Sequence, residues 1–374
     1  MPSATAIVAN TPSPPGTTNW SWETVSVPDT LADDEVLVEM LASGVCHTDI
    51  SLTSVPPGVL GIQYPRIPGH EAAGHVRAVG PGITAVQVGD PVLLSFDSCQ
   101  SCSHCSAGHP AYCDSFPVKN YVGRPGPTKG DEKVWGSFFG QSSFAQFSIV
   151  SEGSIVNAKG LVENDDELKL FSPLGCGFQT GVGAVLNVTA ATEQDAVMVL
   201  GVGGVGFAAI MAAKVKGCRA IIAVDRVAER LQLAKELGAT HIINTAEISI
   251  SETLDKDPSI RPSIAIDTTG VPALLEEALE ALGKRGKLVI VGIPPFGYNL
   301  PFAGGKHLTT GKSVMGCMEG DSVPEKALKD MIQWYRDGKF PIEKLVSYFP
   351  AAEYKEAVDK LKDGSVIKPV LVWK

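Results

Sequence analysis

Positive charge is scarce in this chain of 374 residues: 31 Lys and Arg stand against 41 Asp and Glu, for a net charge of −10. Without a basic surplus there is nothing to gain from counterion release on a polyanion, which argues against a nucleic-acid partner. Basic amphipathic runs of the kind that sit on membrane surfaces are also missing. The N-terminal stretch MPSATAIVANTPSPPGTTNW lacks both a charged n-region and a continuous apolar h-region, so no signal peptide is expected. One stretch, Ala196 to Ala213 (AVMVLGVGGVGFAAIMAA), lacks charge over 18 residues and has the length of a membrane span. Its glycines instead follow a cofactor-loop pattern, and a membrane role is set aside. Two sequons, Asn19-Trp20-Ser21 and Asn187-Val188-Thr189, matter only in a secreted chain. The sequence reads as that of a soluble, cytoplasmic protein.

What is present is apolar bulk and cysteine in an unusual pattern. Hydrophobic residues make up 44% of the chain, enough for a large core, and at roughly 100–200 residues per domain two domains are expected. Four of the eight cysteines fall within SFDSCQSCSHCSAGHPAYCDSF, where Cys99, Cys102, Cys105 and Cys113 have C-x2-C-x2-C-x7-C spacing. A reducing compartment disfavours structural disulfides, and four close thiolates suit tetrahedral zinc. Such a closed site holds a loop and leaves no position for chemistry.

The texture changes along the chain. EVLVEMLASGVCHTDI opens with strand-like alternation, and residues 67–97 are short apolar segments broken by Gly and Pro, which predicts a β-rich first domain. From about residue 195, six apolar segments read as buried strands: Val197–Leu200, Ala220–Val224, His241–Asn244, Ile264–Ile266, Lys287–Val291 and Ser313–Cys317. Helical patterns such as RVAERLQLAKELG and PALLEEALEALG alternate with them and stop at Gly. That alternation predicts a doubly wound parallel sheet. A tail helix, PEKALKDMIQWYRDG, and a strand-like KPVLVWK follow.

Within the second region Gly201, Gly203 and Gly206 stand in G-x-G-x-x-G order, after a β-branched strand and at the opening of a helix. Asp225 ends the next strand, completing the dinucleotide fingerprint. Gly201 serves the tight turn, Gly203 the approach of pyrophosphate and Gly206 the packing of helix on sheet. Gly204 and Val205 open the helix whose N–H groups and dipole receive the phosphates. Asp225 would accept the adenosine-ribose hydroxyls and repel a 2′-phosphate, which favours NAD over NADP, although Arg226 beside it weakens that preference.

Three further residues are individually bland. Cys46 in GVCHTDI, His70 (followed by Glu71) in IPGHEAAG and Cys176 in PLGCGFQTG could each be ordinary core or hydrogen-bonded residues. Together a Cys, a His and a Cys form a zinc set with a fourth position open, but their spacing does not show that they meet.

Taken with the four-cysteine lobe, GVGGVG with Asp225, and VGIPP, these motifs stand in an order that resembles the medium-chain, zinc-dependent alcohol dehydrogenases from about residue 20 onward. The resemblance implies an α/β chain: a GroES-like, β-rich catalytic domain over 1–178 with a structural-zinc lobe at 95–116, an inserted Rossmann domain at 179–320, and a return to the catalytic domain at 321–374. It implies two zinc ions per chain, one catalytic on Cys46, His70 and Cys176, and one structural on Cys99, Cys102, Cys105 and Cys113. Zinc then lowers the pKa of a bound alcohol, and the alcohol carbon gives a hydride to NAD. By the same resemblance Thr48 hydrogen-bonds the alcohol oxygen, Asp49 orients His70 and Glu71 lies behind the metal. His47 and Lys368 match basic groups on the cofactor pyrophosphate, Arg230 a contact to the adenosine ribose, and Ile293 and Cys317 the nicotinamide pocket.

The match departs at Ser51, where several family members place a histidine that carries the proton onward; a serine has no group titrating near neutral pH. The aryl-alcohol members resemble this chain in lacking that histidine, and the long connection at 114–143 is missing from shorter, ethanol-type relatives. Both features imply a primary alcohol that is aromatic or bulky, with Phe96, Phe116, Phe139 and Met318 as soft pocket candidates. The alternatives are a specialised-pathway alcohol dehydrogenase acting on a non-aromatic metabolite and a non-enzymatic NAD- and zinc-binding protein. A homodimer is a family expectation, through the sheet edge around residues 296–318.

Overall fold

The computed structural model describes residues 3–301 and 303–373. Two compact units divide the chain. The first comprises 1–176, 323–333 and 342–374, and the second 177–322 with 334–341.

The first unit is built on two sheets. Four antiparallel strands, Ser3–Ala9, Trp20–Ser26, Arg124–Lys129 and Glu132–Gly136, form one of them. The last two make a hairpin, so the long connection at 114–143 extends this sheet. The second sheet has seven strands. Its main path runs Val346–Pro350, Lys368–Val372, Glu35–Gly44, Ala72–Val79, Pro91–Leu94 and Ile155–Asn157, with Phe147–Ser151 added on Glu35–Gly44. The strand Glu35–Gly44 alternates half-buried and buried residues, the period-2 pattern of a face packed on a core. That core gathers Val36, Val38, Met40, Val76, Val92 and Leu371. The C-terminal segment is tied in by buried hydrogen bonds: Trp373 Nε1 donates to Ser43 Oγ at 2.9 Å, and the Tyr354 hydroxyl to the Trp20 carbonyl at 3.0 Å.

The second unit holds a six-stranded, wholly parallel sheet in the order His241–Asn244, Ala220–Asp225, Ala196–Leu200, Ile264–Asp267, Lys287–Ile290 and Ser313–Gly316. In chain order this is 3-2-1-4-5-6, the doubly wound arrangement whose order reverses beside the first strand. All six expected strands form, each within a residue or two of its expected ends. The uncharged run Ala196–Ala213 divides into the central strand and the helix Gly204–Val215, so its apolarity comes from burial within a protein core. No helix among the described residues is long and apolar enough to cross a membrane.

The segment Trp334–Pro341 groups with the second unit, whereas the sequence reading put all of 321–374 with the first. Its anchor is Phe340, fully buried with ring contacts at 6.2 Å to both Phe178 and Trp334.

Candidate metal centres and cofactor loop

All the candidate metal ligands lie in the first unit, and they form two clusters. Cys46, His70, Glu71 and Cys176 bring one potential ligand atom each to within 4.8 Å of one another. Local geometry explains how. Cys46 is the N-cap of the helix His47–Leu52, and Asp49 reaches back from the third helical position to accept from the Cys46 N–H at 3.0 Å. The other oxygen of the same carboxylate accepts from the Gly69 N–H at 3.0 Å and from His70 Nδ1 at 2.8 Å. Asp49 and His70 are both fully buried. One side chain therefore fixes the position of Cys46, the backbone before His70 and the imidazole tautomer. In the neutral imidazole, Nδ1 donating to Asp49 leaves the lone pair on Nε2, which is buried without a hydrogen-bond partner among the described residues.

The electrostatics follow from burial and proximity. The Cys46 thiol is held well below its ordinary range, first by hydrogen bonding with Cys176, then by His70 and the Lys368 charge. Burial works against a charged His70, but the Asp49 carboxylate overrides it and raises the imidazole pKa. Thr48 Oγ1 stands 3.6 Å from Cys46 Sγ. Behind the cluster, Lys368 Nζ reaches both Glu71 oxygens at 2.9 and 2.8 Å, and both side chains are almost wholly buried. Burial opposes the Lys368 charge, and the Glu71 carboxylate more than offsets that, raising its pKa. Lys368 thus makes its contact with Glu71, while His47 is exposed.

The second cluster is Cys99, Cys102, Cys105 and Cys113, whose sulfurs also lie within 4.8 Å of one another. Backbone N–H groups point at the sulfurs: Cys102 N–H donates to Cys99 Sγ and Cys99 N–H to Cys113 Sγ, both at 3.3 Å. Donors from Ser101 and Cys102 draw the Cys99 thiol down to about 6, whereas burial pushes Cys105 up to about 12. No described cysteine is in a disulfide.

The glycine loop lies in the second unit. Gly201 adopts φ +85°, open to glycine at little cost, and a Cβ on Gly206 would run into the Gly201 carbonyl. Nothing lies within 4 Å of where a Gly203 Cβ would be, so the loop presents bare backbone there. Gly204 and Val205 begin the helix. The Asp225 carboxylate is tied to the loop, accepting from the Val202 N–H at 2.7 Å, and from the N–H groups of Arg226 and Val227 at 2.7 and 3.0 Å. Arg230 is half-buried on the following helix, Ile293 is exposed and Cys317 half-buried.

Comparison with known proteins agrees over most of the chain. Residues 32–160 match the alcohol dehydrogenase GroES-like domain, and 204–337 the zinc-binding dehydrogenase family. The chain belongs to the medium-chain, zinc-dependent alcohol dehydrogenases. A probable alcohol dehydrogenase of Pseudomonas sp is 37% identical over 287 residues, 75% of this chain and 89% of that protein. The geraniol dehydrogenase of Castellaniella defragrans is 33% identical over 347 residues, 91% of each chain. The crystal structure of benzyl alcohol dehydrogenase from Acinetobacter calcoaceticus superposes with a TM-score of 0.90 at 35% identity, covering 100% of both chains. This member of the family is accordingly an oxidoreductase of the alcohol dehydrogenase kind.

Sequence reasoning missed how this dehydrogenase packs His70. The imidazole lies against two phenylalanines, edge-on to Phe138 at 5.6 Å and tilted on Phe139 at 4.6 Å. Phe139 belongs to an aromatic group with Phe116 and Tyr121, and Phe116 touches Phe96. Of these, Phe96, Phe116 and Phe139 carried an expectation, whereas Phe138, Tyr121 and Gln141 did not. Gln141 Nε2 donates to the His70 carbonyl and to the Ser95 carbonyl, each at 2.9 Å. WGSFFGQSS has no periodicity or ligand spacing from which these roles could be read.

Proposed function

We propose that Cys46, His70 and Cys176 hold a catalytic zinc, that Cys99, Cys102, Cys105 and Cys113 hold a structural one, and that the protein interconverts a bulky or aromatic primary alcohol and its aldehyde with NAD. The observation that carries this reading is His70 Nε2: buried, deprived of any hydrogen-bond partner among the described residues, and placed with two thiols. A neutral imidazole and two thiolates are a soft, borderline donor set of the kind zinc takes, and a three-residue set leaves a position for substrate. Bound there, the metal would act as a Lewis acid that lets an alcohol ionise near neutral pH.

The chain's own residues then have defined tasks. Asp49 keeps the proton on His70 Nδ1 and so keeps Nε2 available to the metal. The Thr48 hydroxyl, beside Cys46, receives the proton of the alcohol and passes it outward. Since Ser51 cannot titrate, the proton leaves by way of water or the exposed His47. Glu71 and Lys368 form a neutral buried pair behind the ligands. The exposed His47 is the basic group proposed for the pyrophosphate, the charge of Lys368 being taken up by Glu71. Gly201 to Gly206 receive that pyrophosphate on bare backbone and a helix N-terminus. Asp225 and Arg230 take the adenosine ribose, and Ile293 and Cys317 flank the nicotinamide. Hydride transfer needs the nicotinamide delivered to the alcohol carbon.

Phe139 packs on the His70 ring, whereas Phe96, Phe116 and Tyr121 lie behind it in the core beside the four-cysteine lobe, an aromatic surround compatible with a bulky substrate. The names of two relatives, a geraniol and a benzyl alcohol dehydrogenase, point the same way. A homodimer through the edge strand Ser313–Gly316, in the cytoplasm, completes the proposal. NADH formation by purified protein with benzyl alcohol, against ethanol and against NADP, tests it alongside metal analysis. Two zinc ions per chain and a clear preference for benzyl alcohol with NAD are expected. Two zinc ions with no activity on either alcohol would sink the substrate class, and a single zinc would sink the catalytic site.

A further inference from the structure

Arg66 sits one strand-length from His70 in the sequence, yet it belongs to no motif. Its side chain is fully buried, and Nε, Nη1 and Nη2 have no hydrogen-bond partner among the described residues. Burial lowers its pKa to about 10, which leaves the guanidinium charged at neutral pH. Burying a charge without a partner is costly, and an apolar side chain of similar volume would be the cheaper choice. What the guanidinium does have is a ring face: its Cζ stands 4.9 Å from the centroid of Phe138. Phe138 is in turn the ring set edge-on to His70 at 5.6 Å, with an interplanar angle of 84°.

The surroundings hold this stack rigidly from both ends. The backbone of Arg66 exchanges hydrogen bonds with Ala9 at 2.9 and 2.7 Å, and its neighbours pair with Trp135. Phe138 lies in a strained segment in which Ser137, Phe139 and Ser142 have φ of 56°, 52° and 49°. A bulky residue such as Phe139 seldom adopts that conformation. Ser142 Oγ accepts from the Phe138 N–H at 2.9 Å and donates to the Ile67 carbonyl at 2.6 Å, which ties the strained segment to the stretch carrying Arg66 and His70.

We propose that Arg66 is a positioning residue for His70, acting through the ring of Phe138. The hydrogen bond to Asp49 fixes the imidazole in its plane but leaves it free to roll about that axis. Phe138 limits the roll, and the cation over its ring keeps that ring from pivoting. This inference rests on the reading of His70 as a ligand of the catalytic zinc.

The test follows release of zinc from the holoenzyme to a colorimetric chelator, with Cys46→Ser used to identify which equivalent belongs to the catalytic site. Arg66→Met is expected to hasten release of that equivalent about three- to tenfold, less than the full worth of a desolvated cation–π contact because Phe138 itself remains against the imidazole. Release of the second equivalent should be unchanged. The melting temperature of Arg66→Met should hold or rise, because an unpaired buried charge has gone. Phe138→Leu should hasten the same equivalent, and the double variant should be no faster than the quicker single one. Unchanged release in both single variants, additive effects in the double variant, or loss of both zinc ions together with a falling melting temperature would each overturn the proposal. Wild-type protein with no Cys46-dependent zinc would overturn the earlier reading as well, which separates the two failures.

Discussion

The two cysteine clusters reach the same end by opposite means. Cys99, Cys102, Cys105 and Cys113 come from one short, partly exposed loop, and the backbone between them supplies the N–H groups that face their sulfurs. Cys46, His70 and Cys176 come from distant parts of the chain, and a single buried carboxylate, Asp49, joins two of them. The first cluster is preorganised by covalent proximity, the second by the packing of a whole unit. A local site therefore depends on its own loop, whereas the assembled one depends on everything that holds the helix His47–Leu52 and the strand Ala72–Val79 in register.

That contrast can be broken experimentally. The largest effect is expected in the assembled cluster: His70→Ala should lower kcat/KM by at least about a thousandfold, because the metal's polarising action is lost. The zinc of that cluster should disappear in metal analysis while the other stays, and the melting temperature should fall as well, because the buried Asp49 carboxylate loses its imidazole partner. Cys102→Ser should instead remove the other zinc and lower the melting temperature by roughly 5–10 °C. The protein that remains folded should keep most of its turnover. Similar outcomes for both variants would erase the distinction between a catalytic and a structural cluster. Asp49→Asn sharpens it, since an amide can still accept from His70 without the charge that holds the imidazole. Zinc affinity at that site alone should fall about 10- to 100-fold. Outside both clusters, Asp225→Ala should reduce the preference for NAD over NADP by about tenfold, read from the ratio of kcat/KM values.

How far the sequence could be read follows the same divide. The thiolate quartet and the glycine loop were legible because their chemistry lies within a few residues, where spacing determines geometry. The six buried strands were legible because a sheet covered on both faces leaves nearly continuous apolar runs. Nothing in the spacing brought Cys46, His70 and Cys176 together; only the family resemblance did. The hairpin Arg124–Gly136 lay hidden in GRPGPTKGDEKVWG, whose prolines and glycines read as loop. Phe138 and Arg66 were invisible for a different reason. An arginine is assigned to the surface by default, and only the fold shows one buried on a phenylalanine face.

The strand Lys368–Val372 pairs antiparallel with Glu35–Gly44, although the whole second unit lies between them in the chain. During synthesis the second unit, nearly continuous in the chain, can fold while the first still waits with an open strand edge, the kind of edge that invites association with other chains. Cys46, His70 and Cys176 leave the ribosome long before Lys368, the partner of Glu71. The proposed metal cluster is thus translated within the first half of the chain but closed only when the C-terminal strand arrives.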